Sequence, residues 1–313
     1  MNDEQLVGSI LAKDVMSYMN FTASKLNDML LHIDAQTKIQ RYDEWVNIIQ
    51  SKAYSDRLCK HGFKVYSQED QDGILQYLCE QLKIEKGIFA EFGAGEGETN
   101  STHYLLLKGF KGCWIECNEE HIKKIKAHYI EKENKNSKNR LMIIHSMITP
   151  ENINQLLNLY LEKIQEKEFD ILVCDTDWHD YYLFEALELK PKIIVIEYNA
   201  SIPRDISLVV PKDEPYGWRG DNYFGASFKA LYSVGRKKGY TLIGCNSSGI
   251  DMFFVRNDLI DKFSSNSYLG DVKLYKYDQW KYLYEYPQYE LCFSKGHESK
   301  LENFLNLENQ NDN

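Results

Sequence analysis

The stretch Ile88-Phe89-Ala90-Glu91-Phe92-Gly93-Ala94-Gly95-Glu96-Gly97 runs from a short apolar strand through an acidic residue into glycine at every second position. Glu98-Thr99-Asn100-Ser101 comes next as a helix start. Glycines here let the backbone turn tightly and let a ligand lie against bare main chain. A dinucleotide is disfavoured as that ligand. Pyrophosphate fingerprints read G-x-G-x-x-G, the third glycine packing helix on strand, whereas this chain reads G-x-G-x-G. A carboxylate two residues before the first glycine also repels a pyrophosphate. The pattern suits a ligand that carries an ammonium group and hydroxyls. The other reading of the same glycines is a plain tight turn at a strand end.

Further on, Cys113-Trp114-Ile115-Glu116 is a second apolar strand ending in a carboxylate. In a βαβ unit a carboxylate about twenty residues past the glycines sits beside the first loop and accepts both ribose hydroxyls. Alternatively, Glu116 opens the polar loop Asn118-Glu119-Glu120 and caps the next helix. Combined with the acidic glycine loop, the ligand reading is the stronger.

The order of these blocks resembles the FkbM-type branch of class I S-adenosylmethionine-dependent methyltransferases. The blocks are Tyr66-Ser67-Gln68-Glu69-Asp70-Gln71-Asp72, Glu91 to Gly97, Trp114-Ile115-Glu116, Asp175-Thr176-Asp177, and Ile196-Glu197-Tyr198-Asn199 with Tyr223-Phe224-Gly225-Ala226-Ser227. The resemblance covers residues 62–258. It implies a Rossmann-like α/β fold with a seven-stranded, mostly parallel sheet, and S-adenosylmethionine as cofactor, a molecule with both the ammonium group and the hydroxyls required. It also implies methyl transfer to oxygen on a sugar or glycan precursor, or on another small hydroxylated molecule. One block departs from the family: Asp177-Trp178-His179-Asp180 replaces the usual acidic-Glu-Gly segment after the fourth strand. Two other classes of function are carried beside this one. An NAD-type oxidoreductase is disfavoured by the glycine spacing and Glu91; a non-catalytic methyltransferase-like module leaves the glycine loop and Glu116 without a task.

The rest of the chain fits one large domain with additions. Its 313 residues are 43% hydrophobic and 13% aromatic, enough for a substantial core. A net charge of −10 argues against nucleic acid and anionic membrane surfaces, since phosphate binding needs a basic face. Without a long apolar run, a basic leader or a C-x-x-C pair, a soluble cytoplasmic protein with reduced thiols is expected. Residues 1–60 read as a helical region, with Leu6, Ile10, Leu11 and Val15 on one face and Thr22 as cap of a second helix carrying Leu26, Met29, Leu30 and Ile33. Such faces pack on the main domain or on a partner, a second copy included. Residues 61–260 form the cofactor-binding domain, with apolar strands at 88–92, 113–116, 141–145, 170–174 and 192–197 and a hairpin of 240–245 with 250–255. Residues 261–313 are an aromatic-rich extension, tyrosines concentrated in 268–290, with a tail expected to be disordered from Asn306. Lys132 to Arg140 reads as a solvated loop.

In an open α/β sheet the ligand lies beyond the C-terminal strand ends, at the switch point beside the first strand. Strands one, two, four and five all finish there in acids. The expected cofactor contacts are Gln68, Glu91, Gly93, Gly95, Gly97, Asn100, Glu116, Ser146, Met147 and Asp175, with Ser67, Gln68 and Gln71 folding over the methionine end. For an alcohol acceptor the chain must orient the hydroxyl and take its proton. His179 is the expected base, with Asp177 and Asp180 beside it. Alternatively Mg²⁺ or Mn²⁺, held by Asp177, Glu197 and Asn199, lowers the acceptor's pKa. The structural alternative for these acids is capping of the next helix, Tyr181–Leu189. Trp218 and Arg219 stand in the loop where an acceptor is gripped.

Overall fold

A computed structural model describes residues 58–131, 140–215, 217, 223–263 and 304–310, together with Thr22, Lys25, Leu26 and Met29. The chain divides into two compact units, Met1–Ala53 and Tyr54–Asn313. In the first unit the described residues are helical, and Thr22 itself is helical rather than a cap ahead of the helix. The other N-terminal residues, most of the 132–140 loop, Trp218, Arg219 and the tyrosine-rich 268–290 stretch lie outside the described residues.

Among the described residues the second unit is built on a sheet of seven strands: β1 (Ile88–Phe92), β2 (Lys111–Glu116), β3 (Leu141–His145), β4 (Ile171–Cys174), β5 (Ile193–Glu197), β7 (Tyr240–Cys245) and β8 (Asp251–Arg256). Their order across the sheet is β3-β2-β1-β4-β5-β8-β7, parallel except for β8 and β7. This is the Rossmann-like, mostly parallel seven-stranded sheet expected from the sequence. The helices include α1 (Gln71–Leu82), α2 (His103–Leu107), α3 (Glu119–Ile125), α4 (Ile153–Ile164), α5 (Asp180–Ala186) and α6 (Phe228–Lys237).

Both faces of the sheet are covered, which is why the central strands read as unbroken apolar runs. In β1, Ile88, Ala90 and Phe92 face the core shared with α4, α5 and α6. Phe89 points the other way, toward Leu75 and Leu78 of α1 and Leu105 of α2. Phe89, Phe92, Phe253 and Phe254 are all 0% exposed. Each such ring contributes about 1.5–3 kcal/mol by leaving water, so packing rather than intrinsic propensity holds the strands. Strand β7, at the sheet's edge, has a bulge between Leu242 and Gly244 that breaks its register with β8.

A two-residue strand β6 (Leu208–Val209) pairs with β9 (Leu305–Asn306), and a 3-10 turn lies just beyond at Leu307–Gln310. The expectation of disorder from Asn306 is thereby corrected for residues 306–310. Leu307 N–H donates to the Ser207 carbonyl at 3.0 Å, and Phe304 packs with Trp178, Ile202, Leu208, Val210 and Phe224. That apolar anchor is easily missed in a polar tail. No helix among the described residues is long and apolar enough to cross a membrane.

Candidate functional site

Chain order reverses between β1 and β4, and their C-terminal ends open into a cavity of about 450 Å³. Nine of the ten expected cofactor contacts line it: Gln68, Glu91, Gly93, Gly95, Asn100, Glu116, Ser146, Met147 and Asp175. Gly97 does not. A side chain there would meet Tyr129, Ile125 and Trp114 at 3.0–3.2 Å, and its carbonyl accepts the Tyr129 hydroxyl at 2.6 Å. Gly97 is a packing glycine, performing the task assigned to the third glycine of a dinucleotide loop.

Glu116 organises the loop from the tip of β2. It is 7% exposed; Oε2 accepts Gly95 N–H at 2.7 Å and Oε1 accepts Asn118 N–H at 2.8 Å. The cap of α3 is Asn118, whose Oδ1 accepts from Glu120 and His121 N–H, so Glu116 does not have that role. Each carboxylate oxygen accepts one N–H and keeps further acceptor capacity, and His121 Nδ1 stands 3.6 Å from Oε1.

Glu91 is 4% exposed and ties down the turn after the glycines. Its oxygens accept Ser101 N–H (2.9 Å), Thr102 N–H (3.1 Å) and Thr102 Oγ1–H (2.5 Å). Trp114 Nε1 in turn donates to Thr102 Oγ1 at 2.8 Å. Burial raises the Glu91 pKa against these bonds. Beside it Asn100 is 5% exposed, and its buried Oδ1 has no hydrogen-bond partner within the protein. An orphaned acceptor on a cavity wall costs free energy unless a ligand donor meets it.

Across the mouth of β4 and β5, carboxylate oxygens of Asp175, Asp177 and Glu197 lie within 4.8 Å of one another. Full charges at that spacing repel by about 3 kcal/mol per pair at an effective dielectric of ~20. The titrations bend accordingly. Burial and then the Asp177 charge hold Asp175 well above the ordinary range, burial and then Asp175 do the same to Glu197, and Asp177 is pushed up to about 6 by burial and Asp180. Behind them Asp251, paired in register with Glu197 and 2% exposed, is raised to about 7 by burial. Glu197 Oε2 is buried with no hydrogen-bond partner. Asp177 has φ 60°, a left-handed conformation costing about 1–2 kcal/mol per non-glycine residue.

Three expected site residues stand outside the cavity lining. His179 is 2% exposed, absent from the cavity lining, with Nε2 3.3 Å from the Pro211 carbonyl oxygen; burial lowers its pKa. It occupies the position just before α5. Asp180 is fully buried, and its Oδ1 accepts from Cys174 Sγ, Thr176 N–H and Thr176 Oγ1–H. Asn199 is also fully buried: Nδ2 donates to the Phe224 carbonyl and Oδ1 accepts from Ser201. It fixes the loop after β5, and Asp175 takes its expected place beside Asp177 and Glu197. The helix starts at Asp180 and ends at Ala186, shorter than expected.

Other wall residues carry little signal in sequence. Thr99, Ser101, Cys117 and His121 flank the glycine loop and Glu116, and Trp178 and Thr176 flank the acids. His121 sits in the first turn after the strand whose tip is Glu116, and that placement is the one signal available for finding it. Among the described residues the lining has no lysine or arginine.

No family model matches the chain, and neither does any curated protein. Solved structures with a similar course include a putative caffeoyl-CoA O-methyltransferase from Staphylococcus aureus, 14% identical with a TM-score of 0.41 over 71% of this chain and 99% of that one. The methyltransferase domain of bacterial CtHen1-C is 14% identical with a TM-score of 0.39 over 59% and 96% of the two chains. Magnesium protoporphyrin IX methyltransferase (ChlM) from Synechocystis PCC 6803, with bound SAM, is 11% identical with a TM-score of 0.37 over 67% and 94%.

Proposed function

We propose that the protein is an S-adenosylmethionine-dependent methyltransferase, acting on oxygen of a small hydroxylated acceptor such as a sugar or glycan precursor. The observation that carries the cofactor reading is Glu116. Its carboxylate anchors the glycine loop through Gly95 and still faces the cavity. Support also comes from the orphaned Asn100 Oδ1 beside Glu91, an acceptor pair matched to an ammonium group. When bound, S-adenosylmethionine supplies a methyl group on a sulfonium. The chain's part is to hold the ribose hydroxyls at Glu116, the amino group at Glu91 and Asn100, and the adenine against Ser146 and Met147. The acceptor class is carried from the family resemblance.

Glu116→Ala is the test. It removes a charge-assisted acceptor and frees the Gly95 N–H, so affinity for S-adenosylhomocysteine falls by about 1.5–3 kcal/mol, roughly ten- to a hundredfold. Calorimetry with S-adenosylhomocysteine and with NAD reads it; unchanged affinity in the variant, or preference for NAD in the native protein, removes the reading. Cys117 is exposed at the cavity wall, so bound S-adenosylhomocysteine also slows its alkylation, followed by peptide mass spectrometry.

We further read Asp175, Asp177 and Glu197 as the ligand set for a divalent cation. Three hard oxygens close together, one of them buried and unpartnered, suit Mg²⁺ or Mn²⁺. Such an ion polarises a hydroxyl bound to it. The raised carboxyl pKa values fix the sign of a pH effect. The native state binds more protons than the unfolded chain between about pH 4 and pH 7, so these groups stabilise the fold below that window. Their contribution is lost as pH rises through about 6 to 7. Thermal melts without metal should show native stability falling over this window relative to Glu197→Gln. Added Mn²⁺ should restore it at pH 7.5 and do little at pH 5. No ion effect at pH 7.5 rules out the cation site.

A further inference from the structure

We propose that Asp72 is a positioning residue for the cofactor: its buried carboxylate shapes the Phe63–Asp70 loop so that Gln68 stands in the cavity wall. The proposal rests on the methyltransferase reading above. Asp72 is 0% exposed and lies in the first turn of α1, yet its carboxylate caps none of that helix's own N–H groups. Instead a single oxygen, Oδ2, accepts three successive N–H groups of the preceding loop: Val65 at 2.7 Å, Tyr66 at 2.6 Å and Ser67 at 3.0 Å. Consecutive N–H groups converging on one anion bend the chain into a concave nest. Ser67 answers in kind, its Oγ accepting Asp72 N–H at 3.2 Å.

The loop is pinned on every other side. At its base Gly73 N–H donates to the Phe63 carbonyl at 3.1 Å, and a Cβ on Gly73 would stand 2.3 Å from Phe63 N. Tyr66 lies against the His103 ring, centroids 4.0 Å apart. Asp70 accepts the Ser247 hydroxyl from the β7–β8 turn. Gln71 joins the loop to the sheet, donating to Asp251 at 2.7 Å while accepting Glu69 N–H at 2.9 Å. Gln68 faces the cavity from the top of this frame, its carbonyl held by Lys64 Nζ. Removing the Asp72 carboxylate releases three donors at the loop's centre while the helix keeps its backbone bonds.

The experiment is a double-mutant cycle read by calorimetry with S-adenosylhomocysteine, alongside trypsin cleavage after exposed Lys64. Asp72→Ala should weaken binding tenfold or more and speed cleavage at Lys64. Gln68→Ala should weaken binding with cleavage unchanged. If Asp72 acts through Gln68, the double variant binds no worse than Asp72→Ala alone. Wild-type affinity in Asp72→Ala, or two effects that multiply fully in the double variant, overturns the proposal. Should Asp72→Ala fail to fold, Asp72→Asn replaces it in the same cycle, and the same outcomes decide. Absence of binding by the native protein brings down the functional reading itself, which separates the two failures.

Discussion

Gly93→Ala is expected to destabilise the protein by about 2–5 kcal/mol, the sum of ~1–2 for a left-handed residue with a side chain and ~1–3 for overpacking. Gly93 has φ 72°, and a Cβ there would stand 1.8 Å from the carbonyl oxygen of Asp175 and 3.0 Å from its carbon. Those are backbone atoms of the neighbouring strand end, so no side chain swings aside to relieve the clash. β1 and β4 would have to part where the sheet reverses its order. Against a total stability of about 5–15 kcal/mol, the loss is a large fraction. Urea unfolding measures it, and a change below about 1 kcal/mol would show that the strand ends separate without cost.

Gly95→Val should have the opposite character, with the fold kept and the cofactor lost. Gly95 has φ 53°, but no atom lies within 4 Å of where its Cβ would be. The new side chain therefore enters open space at the cavity wall. Backbone strain costs about 1–2 kcal/mol, somewhat more for a branched residue. Binding suffers far more, because the isopropyl group takes room the ligand needs against the Gly95 main chain. S-adenosylhomocysteine affinity should fall by more than about a hundredfold, over 2.7 kcal/mol, while a cooperative melt remains. Binding within tenfold of native would mean the ligand does not cross this loop. Together the two glycines separate a steric demand of the fold from one of the site.

The strands were legible because burial on both faces writes continuous apolar runs, and six of the seven begin and end within a residue of the expected limits. Glu91, Glu116, Asp175 and Glu197 were legible for a related reason: parallel strands deliver their C-terminal residues to one edge. The course of the chain beyond a strand end was not legible. Past β4, the left-handed Asp177 redirects the backbone so that Trp178 borders the cavity and His179 is tucked beneath Pro211. A histidine beside a ligand cleft and one buried behind it share a sequence. Asp180 and Asn199 show the same limit, since both satisfy loop backbone whose partners, Thr176, Ser201 and Phe224, are fixed only by the fold. At the other end, two residues of pairing and one buried phenylalanine order a segment whose composition reads as solvated.

The bulge in β7 bears on self-association. An outermost strand presents unpaired N–H and carbonyl groups along its free side, a template on which another copy's strand could add. In β7 the register slips at Leu242/Gly244, and both Leu242 and Ile243 are buried within the two cores. The slip bends and twists that border, so a straight strand laid beside it could not keep register along its length. Sheet-to-sheet growth is therefore obstructed at this margin.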